Sequence, residues 1–141
     1  VKGILSARDA SLARDAGAEG VIVSNHGGRQ LDGAIATLRA LPAVVAACPG
    51  IPVMLDGGVR RGIDVLTALA LGARMVFVGR PFGCAAAVGG EAGVRHAIHL
   101  LVSEVIRNMA MLGITRLDEL EVGVNVVRND SRAEALVAGR L

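Results

Sequence analysis

Four short runs of aliphatic, largely β-branched residues recur along this chain, and a segment of helical periodicity follows each. That alternation limits the possible folds more than any other feature. Val1–Leu5, Gly20–Ser24, Pro52–Asp56 and Met75–Gly79 have the length and composition of strands. Gly20-Val21-Ile22-Val23-Ser24 is nearly continuous in apolar character, as a strand covered on both faces is. Helices are predicted over about 7–16, 34–47, 62–71 and 90–112. Ser6 is placed to cap the first, with Asp9 three residues on, and Gly17, Gly72 and Gly113 are placed to end helices in a left-handed conformation. Pro42 is expected to divide or kink the second helix. Residues 25–33 are expected to form a polar loop, and Thr115–Leu120 a short capped turn.

Four strand–helix units within the first 113 residues indicate right-handed βαβ connections and a parallel sheet. A doubly wound sheet and a TIM barrel both meet that description. A barrel takes about 250 residues, so a chain of 141 would supply half of one. The first residue is Val rather than Met, which fits an excerpt of a longer protein. Residues 121–141 are weakly patterned and are expected to form a mobile tail.

Composition removes several classes of function. Fifteen basic against thirteen acidic residues leave too small an excess for a dedicated nucleic-acid or anionic-membrane surface. The absence of Trp and Tyr, with only Phe77 and Phe82, removes the usual platforms for base stacking. Ala40–Leu55, the longest uncharged stretch, is broken by Pro42, Pro49 and Pro52 and cannot span a membrane. No signal-peptide pattern is present, and Cys48 and Cys84 form no disulfide framework, so both are expected to be small apolar residues of a reduced cytoplasmic protein. His96 and His99 lie one helical turn apart without a third ligand pattern, and no metal is expected there.

In a parallel α/β fold, functional residues gather where strands end. The first strand carries Lys2, the only lysine. The second runs into Ser24-Asn25-His26-Gly27-Gly28-Arg29-Gln30-Leu31-Asp32, the third into Asp56-Gly57-Gly58-Val59-Arg60-Arg61-Gly62, and the fourth into Gly79-Arg80-Pro81. Glycine pairs let backbone N–H groups approach an anion, and Arg60 and Arg80 offer planar bidentate donors, so the last two strand ends suit a phosphate. His26 and Arg29 suit a carboxylate substrate, with an imidazole as general base and a guanidinium holding the acid group. The bland alternatives are tight turns with exposed arginines and a structural histidine.

The segment Ser24–Asp32, followed 24 residues later by Asp56–Gly62, closely resembles the FMN-dependent 2-hydroxy acid dehydrogenase/oxidase family (glycolate oxidase and L-lactate dehydrogenase among its members). The resemblance runs from Val1 to about Leu120. It implies an α/β fold: the C-terminal half, about four βα units with parallel strands, of a TIM (β/α)8 barrel. It implies FMN as cofactor and oxidation of a small (S)-2-hydroxy acid to the 2-oxo acid. Carried over by position, it gives His26 as the base and Arg29 as the carboxylate ligand. Lys2 would lie beside the flavin ring near its N1/C2 edge, and Ser24 would touch the flavin. Asp56, Gly57, Gly58, Val59 and Arg60 would hold the ribityl chain and phosphate, and Gly79 and Arg80 would complete the phosphate cup. It also implies a homo-oligomer for the full-length protein and leaves the electron acceptor open. The family's first barrel half supplies an Asp to the histidine and tyrosines to the substrate, and none of that half is here. The chain alone is therefore expected to bind FMN weakly and turn over negligibly. Two rivals stand beside this reading: another phosphate-binding barrel enzyme, of the IMP dehydrogenase or flavin-dependent isomerase type, and a non-catalytic half-barrel.

Overall fold

The structure, a computed structural model, describes residues 1–121. The expected C-terminal tail therefore lies, beyond its first residue, outside the described residues. Strands β1 (Lys2–Ile4), β2 (Val21–Ser24), β3 (Val53–Asp56) and β4 (Met75–Phe77) alternate with helices α1 (Ala7–Asp15), α2 (Thr37–Ala47), α3 (Gly62–Ala70) and α4 (Arg80–Leu112). All three strand pairs are parallel, and the sheet order is β1-β2-β3-β4. Each connection steps to the next strand in the same direction. A doubly wound sheet reverses its order at a switch point; this one does not, which leaves the barrel-like alternative.

Consecutive right-handed crossovers place every helix on one face of the sheet. Val21, Val23, Val53 and Leu55 point to that face and are buried with Ala10, Leu41, Val44 and Ala68 in the core. The other face carries the paired row Ile22, Met54 and Met75 and the row Ser24, Asp56 and Phe77. Ile22 and Met54 are half-buried, and Met75 and Phe77 are exposed. The near-continuous apolarity of β2 thus reflects a sheet with helices on one side and a partly open apolar surface on the other.

Local signals explain most element ends. Ser6 Oγ accepts from the Asp9 amide at 3.1 Å, and Gly17 takes φ +91° just after α1. Arg14 donates to the Ala47 carbonyl at 2.8 Å and ties α1 to the end of α2. Pro42 does not divide α2, which runs unbroken to Ala47. Leu41 and Val44 are fully buried against the sheet, so packing holds the turn that lacks one N–H.

The largest departure from sequence expectation is α4. It begins at Arg80, not near residue 90, and is interrupted at Gly89 (φ −138°) and Gly90 (φ +56°). Residues 80–88 include Ala85-Ala86-Ala87 and carry no apolar periodicity to announce a helix. Past the break, a Cβ on Gly93 would collide with the Ala85 carbonyl, so the two arms of α4 meet closely. The loop after β2 also contains a 3-10 turn over His26–Gly28, and a second such turn, Leu117–Glu119, occupies the predicted capped turn.

Candidate active site

The C-terminal ends of the four strands open onto one cleft of about 1180 Å³. Lys2 comes from β1, His26 and Arg29 from the loop after β2, Asp56, Gly57, Gly58, Val59 and Arg60 from the end of β3, and Gly79 and Arg80 from the end of β4. Of the residues to which the resemblance gives a role, only Ser24 is absent from the cleft wall. The four cationic side chains face one carboxylate, so the cleft favours an anion.

A hydrogen-bonded cluster forms its floor. Lys2 Nζ lies 2.8 Å from Asp56 Oδ2 and donates to Ser24 Oγ at 3.0 Å. Ser24 Oγ donates to Asp56 Oδ2 at 2.6 Å and accepts from the His26 amide at 3.1 Å. Ser24 is fully buried, and one hydroxyl donor with two acceptor positions is fully engaged by these three partners. Its hydroxyl is therefore held beneath the cleft by Lys2, Asp56 and the His26 amide. Burial pushes the Asp56 carboxyl up, but the hydrogen bonds from Lys2 and Ser24 and the charges of Lys2 and His26 outweigh it and hold the group below its ordinary value. Lys2 keeps one of three ammonium donors, and Asp56 keeps its Oδ1, for a ligand.

His26 is the one non-glycine residue among those described with positive φ, at +54°, and Gly27 and Gly28 follow at +67° and +72°. Of the three, only His26 carries a Cβ, so its left-handed backbone costs local strain that the surroundings must offset. Asn25 does so in part: its Oδ1 accepts from the Gly27 amide at 3.1 Å, an Asx turn. The ring of His26 lies over Gly3, where a Cβ would stand 2.9 Å from Cε1. Side-chain bulk at position 3 would therefore displace the imidazole.

Two polar side chains that sequence reasoning did not assign shape the glycine pair. Thr37, buried at the start of α2, donates to the Gly57 carbonyl at 2.7 Å. Asn25 Oδ1 would be 2.7 Å from a Cβ on Gly57, which has φ +100°. Asn before His-Gly-Gly was a legible turn signal; Thr37 had none. At Gly58 and Gly79 the added Cβ would meet open space or only the Thr37 hydroxyl at 3.9 Å, so both backbones face the cleft freely. Arg29 and Arg60 have no carboxylate within 4.0 Å among the described residues, while Arg80 Nη2 donates to the Gly27 carbonyl at 2.6 Å. Glycine backbones beside Arg60 and Arg80, with a donor and an acceptor left on Lys2 and Asp56, fit a phosphorylated polyol carrying a polar ring.

Of the two cysteines, Cys48 belongs to the core, whereas Cys84 is exposed and lines the cleft wall. Arg61, on the far side of the phosphate-type turn, pairs with Glu104 of α4 at 2.7 Å. Among the described residues no helix is long and apolar enough to cross a membrane.

Comparison with known proteins gives consistent matches. Residues 1–126 match the family model of FMN-dependent dehydrogenases. An L-lactate oxidase of Nostoc sp. is 53% identical over 122 residues, covering 86% of this chain and 33% of that protein. Glycolate oxidase 1 of Oryza sativa subsp. indica is 55% identical over 121 residues, covering 85% and 33%. A solved structure of an (S)-mandelate dehydrogenase mutant superimposes with a TM-score of 0.82 at 46% identity, covering 86% of this chain and 34% of its own. A mandelate oxidase with benzoyl-formic acid gives 0.78 at 51% identity, covering 83% and 35%. The chain thus spans about a third of the length of the curated relatives it matches, and its four-stranded sheet corresponds to part of their TIM barrel.

Proposed function

The chain belongs to the FMN-dependent dehydrogenase family, and on that premise we propose that it carries the base, the substrate-acid clamp and the phosphate cradle of an enzyme oxidising an (S)-2-hydroxy acid to the 2-oxo acid. The observation that supports this reading best is convergence: His26, Arg29, the Lys2–Asp56 pair and two Gly/Arg rims share one cleft. Family membership sets aside the IMP dehydrogenase-type alternative.

FMN, when bound, supplies the two-electron acceptor for the oxidation. Gly57, Gly58, Val59 and Arg60 would hold its phosphate together with Gly79 and Arg80, and Asp56 would bind the ribityl chain. Lys2, held by Asp56 and Ser24, would present its remaining N–H to the flavin ring and favour negative charge there. Arg29 binds the substrate carboxylate with a two-point bond. His26 takes a proton from the hydroxy acid, its imidazole oriented by Gly3 below and by the Ser24 and Asn25 hydrogen bonds around its turn. Ser24 acts as a positioning residue.

The substrate class named here follows relatives whose own names specify lactate and glycolate. Two measurements test the proposal. The first is titration of the 141-residue chain with FMN by flavin fluorescence, with inorganic phosphate as competitor. Weak, phosphate-sensitive binding that Arg80→Ala abolishes supports the cradle; binding indifferent to both overturns it. The second replaces the matching third of the rice glycolate oxidase with residues 1–121. Anaerobic bleaching of that chimera by glycolate is expected, and its loss in a correctly folded, flavin-loaded chimera would overturn the catalytic assignment.

A further inference from the structure

We propose that Glu104, on the second arm of α4, is a positioning residue for the phosphate cradle: it holds Arg61 and the Gly62 amide away from the cleft and leaves Arg60 as the arginine that faces it. This role rests on the function proposed above, in which the turns at Gly57–Arg60 and Gly79–Arg80 seat a phosphate. Two adjacent arginines follow the glycine pair, and the structure separates them. Arg60 lines the cleft and has no carboxylate within 4.0 Å among the described residues. The Nε of Arg61 donates to both oxygens of Glu104, at 2.8 and 3.0 Å, and its Nη2 lies 2.7 Å from Oε1. Glu104 Oε2 also accepts from the Gly62 amide at 2.8 Å. An isolated surface ion pair contributes little, but a carboxylate that engages a guanidinium fork and a backbone amide together fixes geometry. The bonds from Arg61 and the Gly62 amide hold the Glu104 carboxyl below its ordinary value.

The neighbouring carboxylate completes the clamp. Asp64 Oδ2 accepts from the amides of Arg60 and Arg61, both at 2.9 Å. The three successive amides 60 to 62 are thus taken by two protein carboxylates, and the start of α3 offers none of them to an anion. Phosphate is left to the backbone of Gly57, Gly58 and Val59, to the Arg60 side chain and to the Gly79–Arg80 turn. Thr37 fixes the entry of the β3 turn through the Gly57 carbonyl at 2.7 Å, and Asp64 and Glu104 fix its exit. Glu104 also joins the two sides of the cradle. It borders a cavity of about 360 Å³ together with Arg60 and Arg61 of the β3 turn and Pro81 and Phe82 at the start of α4. The carboxylate that secures one rim therefore comes from the helix that begins at the other.

The test compares two flavins in the apoprotein of the glycolate oxidase chimera, read by flavin fluorescence. FMN carries the phosphate; riboflavin has the same ring and ribityl chain without it. Glu104→Gln should raise the Kd for FMN about tenfold, as loss of a charge-assisted hydrogen bond does, and leave that for riboflavin within about twofold. The Arg61 side chain is 70% exposed, so Arg61→Gln keeps the test sound if Glu104→Gln fails to fold. It should weaken FMN by about threefold or more, again sparing riboflavin. An equal loss for both flavins means that Glu104 only supports the fold and overturns the proposal, as does an unchanged FMN affinity. A chimera that responds to Arg80→Ala but not to Glu104→Gln overturns the role of Glu104 alone. One whose FMN affinity is indifferent to Arg80→Ala overturns the cradle itself, and the role of Glu104 with it.

Discussion

The imidazole of His26 rests against Gly3, a residue 23 positions earlier and one strand away, so closely that a Cβ there would stand 2.9 Å from Cε1. Gly3 also has φ +101°. A Gly3→Ala change must therefore both strain the backbone, by about 1 kcal/mol, and move the ring. In the chimeric oxidase it should lower kcat at least tenfold (about 1.4 kcal/mol of transition-state stabilisation) with FMN content retained, and it should shift the His26 ring resonances in the NMR spectrum. Unchanged resonances would show that the ring is held by other contacts.

Removing the groups that touch substrate should separate their roles. His26→Ala in the chimera should reduce turnover by at least about 10²-fold, the range for a lost general base. Arg29→Lys should raise KM, because an ammonium cannot reproduce the planar fork. Steady-state kinetics with glycolate checks both, and near-normal kcat for His26→Ala would remove it from the proton-transfer role.

Acid should loosen the cluster beneath the cleft. The Asp56 carboxyl is held below its ordinary value once the raising effect of burial is outweighed by Lys2 and Ser24, and Glu104 is held low by Arg61 and the Gly62 amide. A native carboxylate with a depressed pKa binds fewer protons than its unfolded counterpart, so its stabilisation is present above the unfolded value and disappears as pH falls through the folded one. Urea midpoints should therefore be level above about pH 5 and decline below about pH 4. Asp56→Asn should flatten the part of that decline due to Asp56.

Thr37 anchors the Gly57 carbonyl from a buried position. Thr37→Val keeps the shape and deletes the donor, which should cost about 1–3 kcal/mol in chemical denaturation. It should also weaken FMN binding, whereas Thr37→Ser should retain most of both. Equal behaviour of the two variants would mean that the hydroxyl does not set the turn.

At Gly62 the first turn of α3 runs into α4: a Cβ would lie 2.6 Å from the Val105 amide nitrogen and 2.7 Å from the Glu104 carbonyl carbon. Those are backbone atoms and cannot swing aside. Gly62→Ala should destabilise by about 1–3 kcal/mol, as overpacking does, and should break the Arg61–Glu104 pair. The melting temperature of the variant checks it.

The sequence alone was enough to establish the strand–helix alternation, the parallel sheet and the set of rim residues. Each rests on short-range signals: β-branched runs, capping residues and glycines at helix ends. The convergence of Lys2, His26, Asp56 and Arg80 also follows from topology, since parallel strands joined by right-handed crossovers end on one side. Folding alone decided the rest. The burial of Ser24 under Lys2 and Asp56, the grip of Thr37 on Gly57, the seat of His26 over Gly3 and the reach of Arg80 to the Gly27 carbonyl join residues 20 to 53 positions apart. The early start of α4 belongs with them, because its first turns lack a periodic apolar face. Periodicity reports which face of an element is wet or dry; which atom of one element meets which atom of another depends on how the elements pack, and that information is not local.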